Sequence, residues 1–173
     1  DPQKDLSIDQ SIDFGSTAAA FAGDDSADFT VEFEPSATAL EKEGTGHVVA
    51  SLGVDSGYVP YTSYCANTSY LKEHPDVIQK FTDGLQMGME FVQEHTSEEI
   101  ARVIAPQFPE ADMETLTTIV KRYYEQDTWK ENLVFEKESF ELLQDILEDA
   151  GELSQRVPYE KLVTVKYAEK AAE

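Results

Sequence analysis

The residues whose types and spacing best suit chemistry are Glu32 and Glu34. They stand two apart in the run Asp28-Phe29-Thr30-Val31-Glu32-Phe33-Glu34-Pro35. In an extended segment two such carboxylates share a face, and a shared face lets paired carboxylates split their pKa values into an acid and a base. A single carboxylate suits a second role. Glu34 stands just before Pro35, where the alternation stops and a helix can begin, so it could accept a hydrogen bond from an amino or ring N–H group. The competing reading of the same pattern is an edge strand with a solvated acidic face. His47, His74 and His95 are far apart and in no metal-ligand spacing, so no metal site is expected. Cys65 is the lone cysteine; without a histidine beside it, it reads as a small packing residue in an aromatic segment. There is no glycine-rich phosphate loop. No nucleophile or oxyanion hole stands out, so no catalytic residue and no cofactor are expected.

The elements that must position these groups are legible from periodicity. Phe29, Val31 and Phe33 alternate with Asp28, Thr30, Glu32 and Glu34, the pattern of a half-buried strand. Leu6-Ser7-Ile8 and residues 47–52 read as two more strands. Between them, Gly15-Ser16-Thr17 can turn and cap a short helix, and a second helix is predicted from Pro35 to about Glu43, ended by Gly44 and Gly46. This β-α-β-α-β spacing predicts a mostly parallel sheet. Composition shifts at residues 53–57. An extended aromatic segment follows, Tyr58-Val59-Pro60-Tyr61-Thr62-Ser63-Tyr64, and the remainder reads as helices. Their signals are Pro75 before a long apolar stripe, the capping box Thr96-Ser97-Glu98-Glu99, Asp112 as a cap, and a helix over about 138–150 stopped by Gly151. The Phe81, Leu85 and Met89 stripe, the Tyr123-Tyr124 pair and Trp129 are read as packing residues.

Charge narrows the partners. The 173 residues carry 35 acidic and 13 basic side chains, a net charge of −22. That balance opposes nucleic acid and anionic membrane surfaces, both of which require clustered Lys and Arg. Between Lys4 and Lys42, and again from Glu43 to Leu71, there is no Lys or Arg. A cleft built from these segments would favour a cation or an amine donor, although a helix N-terminus such as that near Ser16 and Thr17 can hold an anion without a basic side chain. No apolar run is long enough to span a bilayer, and the start does not read as a signal peptide.

Three runs in order, Asp13-Phe14-Gly15-Ser16-Thr17, the acidic strand ending Glu34-Pro35, and Ala39-Leu40-Glu41-Lys42-Glu43-Gly44, resemble the later half of a solute-binding protein of an ABC importer. Val59-Pro60-Tyr61-Thr62, His74-Pro75-Asp76-Val77 and Ala150-Gly151-Glu152-Leu153 continue the likeness. The family is the one that binds thiamine-pyrimidine precursors, nitrate, sulfonates and taurine. The resemblance implies an α/β fold of the periplasmic-binding-protein-like type II, a three-layer αβα arrangement, here incomplete because family members are far longer. Residues 1–57 would belong to the second, inserted lobe. Residues 58–173 would form the hinge crossing and the closing helices of the first lobe.

By the same resemblance, Glu34, Glu32 and Pro35 line the cleft, and Phe14, Gly15, Ser16 and Thr17 form the loop and helix start beneath the ligand. Tyr61 and Thr62 lie beside the hinge, and Phe14 or Tyr61 could stack on a ring. The implied role is capture of a small nitrogen-containing solute, such as a thiamine pyrimidine precursor, and delivery to the permease subunits. The implied place is extracytoplasmic, periplasmic or lipid-anchored at the cell surface. Incomplete sheets imply pairing with a second copy. Three rivals remain open: an anion binder of the same family, a pyrimidine-biosynthesis enzyme sharing the fold, and a purely structural or interaction domain.

Overall fold

Helix signals in this sequence are local and strong, and the chain answers them. The computed structural model describes residues 2–173. In chain order the helices are α1 (Pro2–Asp5), α2 (Thr17–Gly23), α3 (Ser36–Lys42), α4 (Leu52–Asp55), α5 (Thr68–Glu73), α6 (Pro75–Glu94), α7 (Ser97–Ile104), α8 (Met113–Glu125), α9 (Lys137–Asp149), α10 (Tyr159–Leu162) and α11 (Lys166–Ala171). Single 3-10 turns lie at Phe14–Ser16 and Ala105–Gln107.

The boundaries follow from capping chemistry. Pro75 sits in the first turn of α6, where its missing N–H costs nothing. At α7 the Glu99 backbone N–H donates to Thr96 Oγ1 over 3.3 Å. In return the Thr96 backbone N–H donates to Glu99 Oε2 over 2.9 Å, which completes the capping box. Asp112 caps α8 by accepting the Thr115 N–H at 2.7 Å. Gly44 and Gly151, at φ 71° and 77°, release the chain beyond α3 and α9 in the left-handed region that suits glycine.

The core sits where α7 packs on α8. Ile100, Ala101, Leu116 and Val120 are all buried, and Phe91, Val92, Ile104, Ala105, Ala111 and Trp129 close around them. A second centre forms on α9, where buried Phe140 meets Phe135 and Tyr159 edge-on, with ring centroids 6.2 and 5.7 Å away. The C-terminal α11 lies along α6. Gln79 Nε2 donates to the Tyr167 carbonyl at 3.1 Å, and the Tyr167 hydroxyl donates to the Leu71 carbonyl at 3.3 Å.

Two expectations are corrected. The first is the α/β three-layer fold: among the described residues there is no strand and no sheet. Residues 6–8, 28–33 and 47–51 are irregular, and the end of the third predicted strand is helical, as α4. The physical reason is that alternation prepares a face but does not supply a neighbour. A strand's hydrogen bonds all go to another segment, and none pairs with these. Phe29, Val31 and Val49 accordingly remain 76%, 62% and 76% exposed.

The second correction concerns the stripe on α6. Leu85 and Met89 are half-buried as packing residues should be, but Phe81 and Val77 are exposed. The helix turns only part of its apolar surface toward α11 and the α7–α8 core.

Candidate functional site

Three separated segments bring aromatic rings together. Phe33 lies just before α3, Phe14 opens the first 3-10 turn, and Tyr61 belongs to the segment that follows α4. The Phe14 and Phe33 centroids are 4.9 Å apart at an interplanar angle of 70°. Phe33 and Tyr61 are 5.0 Å apart and tilted by 30°. Edge-on and offset contacts at these distances are the arrangements aromatic quadrupoles favour. Phe14 and Tyr61 remain well exposed, so the row offers ring surface to anything that docks on it.

Behind the row lies a charge network. The Glu34 side chain is only 7% exposed. Its Oε1 accepts from Arg122 Nη1 at 2.8 Å, and its Oε2 accepts the Thr38 backbone N–H at 3.0 Å. The same Nη1 also reaches the buried Thr38 hydroxyl at 2.9 Å, while Nη2 donates to Glu41 Oε2. Glu41 Oε1 accepts the Val48 N–H at 3.0 Å. The Val48 backbone first, and the Arg122 guanidinium second, hold the Glu41 carboxyl below its usual range. Desolvation pulls Arg122 down, but its hydrogen bonds to Glu34 and Glu41 outweigh that and leave its pKa raised. Tyr123 is pushed up by burial, with the Glu34 backbone beside it working the other way.

Eight residues beyond Glu34, Lys42 donates to Asp112 Oδ1 at 3.2 Å and to the Thr115 hydroxyl. Two hydrogen bonds from Thr115, then the one from Lys42, hold Asp112 down at about 2. The polar seam between α3 and α8 is thus made by Arg122 and Lys42 alternating with acids. Farther along, Ser51 Oγ donates to Gln126 Oε1 at 2.9 Å, and the Tyr58 hydroxyl donates to Asp127 Oδ2 at 2.6 Å. These two bonds tie the N-cap of α4 and the start of the aromatic segment to the end of α8.

The residues singled out in the sequence divide into two groups. Phe14, Tyr61, Glu34 and Pro35 gather around Phe33. The Glu34–Pro35 peptide is cis, and Pro35 occupies the N-cap of α3. Thr17 donates its hydroxyl to the Phe14 carbonyl at 3.0 Å, Ser16 is the N-cap of α2, and a Cβ on Gly15 would meet nothing within 4 Å. Those three residues shape the turn that presents Phe14. Glu32 stands apart from the network and accepts from Thr30 at 2.9 Å. Thr62 is exposed beside Tyr61.

Two residues escaped the sequence reading. Phe33 is the centre of the ring row, and Arg122 is the countercharge of Glu34. A signal for Arg122 was present. Nine acids between Lys4 and Lys42 require a cation from elsewhere, and Arg122 flanks the apolar stripe Leu116, Ile119, Val120 and Tyr123 on α8. Among the described residues no group of three His, Cys, Asp or Glu side chains could hold a metal ion. No helix among them is long and apolar enough to cross a membrane.

No family model and no solved structure matches the chain. Over 170 residues the chain is 38% identical to a protein of Bacillus subtilis (strain 168) named "Putative binding protein YtlA". The match takes in 98% of this chain and 51% of that protein, so the chain spans about half the length of the curated relative it matches.

Proposed function

We propose that the chain is part of a solute-binding protein. It captures a small, planar, nitrogen-containing solute such as a pyrimidine on the Phe14–Phe33–Tyr61 row. The observation that carries this reading is the row itself: three rings from three segments, two of them open to solvent. A flat heterocycle can stack there, and the acids around it favour an amino substituent over an anion. The similarity to a Bacillus subtilis protein named for binding supports a binding role. In this reading the protein performs no chemistry. It works outside the cytoplasm and hands the solute to the permease of an ABC importer.

The anion-binding reading gains little from Arg122. That guanidinium is already shared by two carboxylates, Glu34 and Glu41, so the local charge stays negative. The enzyme reading finds no metal-holding group of three His, Cys, Asp or Glu among the described residues.

Calorimetry with 4-aminopyrimidine, taurine and nitrate tests the proposal. Tyr61 is 75% exposed, so Tyr61→Ala leaves the fold intact. The aminopyrimidine should bind, and Tyr61→Ala should weaken it about tenfold, in line with loss of one stacked ring. Equal affinity in the variant, or binding of taurine or nitrate alone, overturns the reading.

A further inference from the structure

The exposed aromatic surface does not stop at the ring row. Three residues beyond Tyr61, Tyr64 sits edge-on against Phe81 of α6, with centroids 5.0 Å apart. Along α6, Val77, Phe81, Gly84 and Gly88 recur at intervals of four, three and four, which puts them on one helical face. Tyr64, Val77 and Phe81 are 77%, 51% and 48% exposed. A Cβ added at Gly84 or Gly88 would meet nothing within 4 Å. Glycine in the middle of a helix costs stability relative to alanine, so two on one open face are out of place unless something approaches the backbone closely.

The whole surface points the same way. A folded monomer of 19.3 kDa exposes about 8,500 Å² by the usual scaling with mass, and this chain exposes 13,002 Å². The excess, about 4,500 Å², is larger than one side of a standard protein–protein interface and of the size found in obligate assemblies.

We propose that the belt from Tyr64 through Phe81 to Gly84 and Gly88 is the seat of a second polypeptide body. That body has an apolar ridge narrow enough to lie against the two glycines, and a rim rich in Lys and Arg. Charge complementarity selects it. Each copy of this chain carries a net charge of −22, so a second copy would oppose like charge with like. The part of the Bacillus subtilis relative outside the matched region, roughly half of that protein, is the natural probe.

The test has two arms. In the first, that part of the relative is co-expressed with this chain, and the purified product is sized by analytical ultracentrifugation beside the chain alone. The expected result is a one-to-one complex that weakens as salt rises. Gly84→Leu and Gly88→Leu should each weaken it at least tenfold. The chain alone should show an equal or higher melting temperature in both variants, because leucine is the better helix former. In the second arm, hydrogen exchange is compared between the isolated chain and the intact relative. Amides aligned with 61–64 should exchange at least tenfold more slowly in the intact relative. Absence of a complex, a complex indifferent to both glycine variants, equal exchange at 61–64, or self-association of this chain through the same belt overturns the proposal. Loss of ring-row binding in Tyr61→Ala bears on the solute reading alone.

Discussion

Arg122 bridges α8 and α3 with a single side chain. One guanidinium engages Glu34, Thr38 and Glu41, all on or next to α3, from a position on α8. Arg122→Met would strand the Glu34 carboxylate, whose side chain is 7% exposed, without its countercharge. Breaking a fully buried pair costs about 3–5 kcal/mol. Arg122 is itself 29% exposed, so solvent screens part of this and the expected loss is nearer to about 2 kcal/mol. Urea denaturation of the two proteins measures it. Arg122→Lys should recover only part of the loss, because an ammonium cannot reach three acceptors in one plane.

Glu41 gives that seam a pH dependence. Its folded pKa lies below the ordinary 4.5, so the unfolded chain takes up the proton first. The stabilisation is fully present above pH 4.5 and is lost as the pH falls through the folded value. Asp112 adds a lower window, from 3.8 down to about 2. Melting temperatures should therefore decline on acidification below pH 4.5. Glu41→Gln should decline less steeply between 4.5 and 3.8 than the parent. Identical slopes would remove Glu41 from the account.

At the scale of elements, the α7 capping box is a self-contained device. Thr96→Ala removes the acceptor for the Glu99 N–H and one of the two donors to the Glu99 carboxylate, at a cost of about 1 kcal/mol measurable by thermal or urea unfolding. This device was readable in advance, as were the α6 start at Pro75, the Asp112 cap and the Gly151 stop. Each is written within a few residues of where it acts. The strands were not readable in the same sense. The alternation of Phe29, Val31 and Phe33 describes a face but names no partner, and the partner is what makes a strand. Between these cases lie the ring row and the seam. Phe14, Tyr61 and Glu34 could be singled out by type and by resemblance. Phe33 read as the apolar face of a strand and Arg122 drew no reading, because the contact joining each to the site spans a long stretch of sequence, 88 residues for Glu34 and Arg122.

On the scale of the molecule, packing rests on small buried centres, the α7–α8 contact first among them. Leu116 is 2% exposed at the α7–α8 contact, and Leu116→Ala should cost about 2–5 kcal/mol. That is a large share of the stability of any domain this size. Net charge works against the same centre. At −22 the chain repels itself, and salt shortens the reach of that repulsion from about 30 Å at 0.01 M to about 3 Å at 1 M. The unfolding midpoint should therefore rise between 10 mM and 500 mM sodium chloride. A fall would mean that ion pairs such as those of Arg122 and Lys42 outweigh the global repulsion.

Trp129 packs against the α7–α8 centre, and its ring lies edge-on to Tyr123 at 6.0 Å. It is the chain's one tryptophan. The ring row and the α6 belt hold phenylalanine and tyrosine only. Emission excited at 295 nm thus reports a single place, the hub, and is blind to events along the belt. Tyrosine emission reports Tyr61 and Tyr64 among others. A solute stacking on Tyr61 should quench the tyrosine band and leave the tryptophan maximum where it was. Collapse of the hub should shift the tryptophan maximum to longer wavelength. The placement of one indole makes the two regions optically separable without any label.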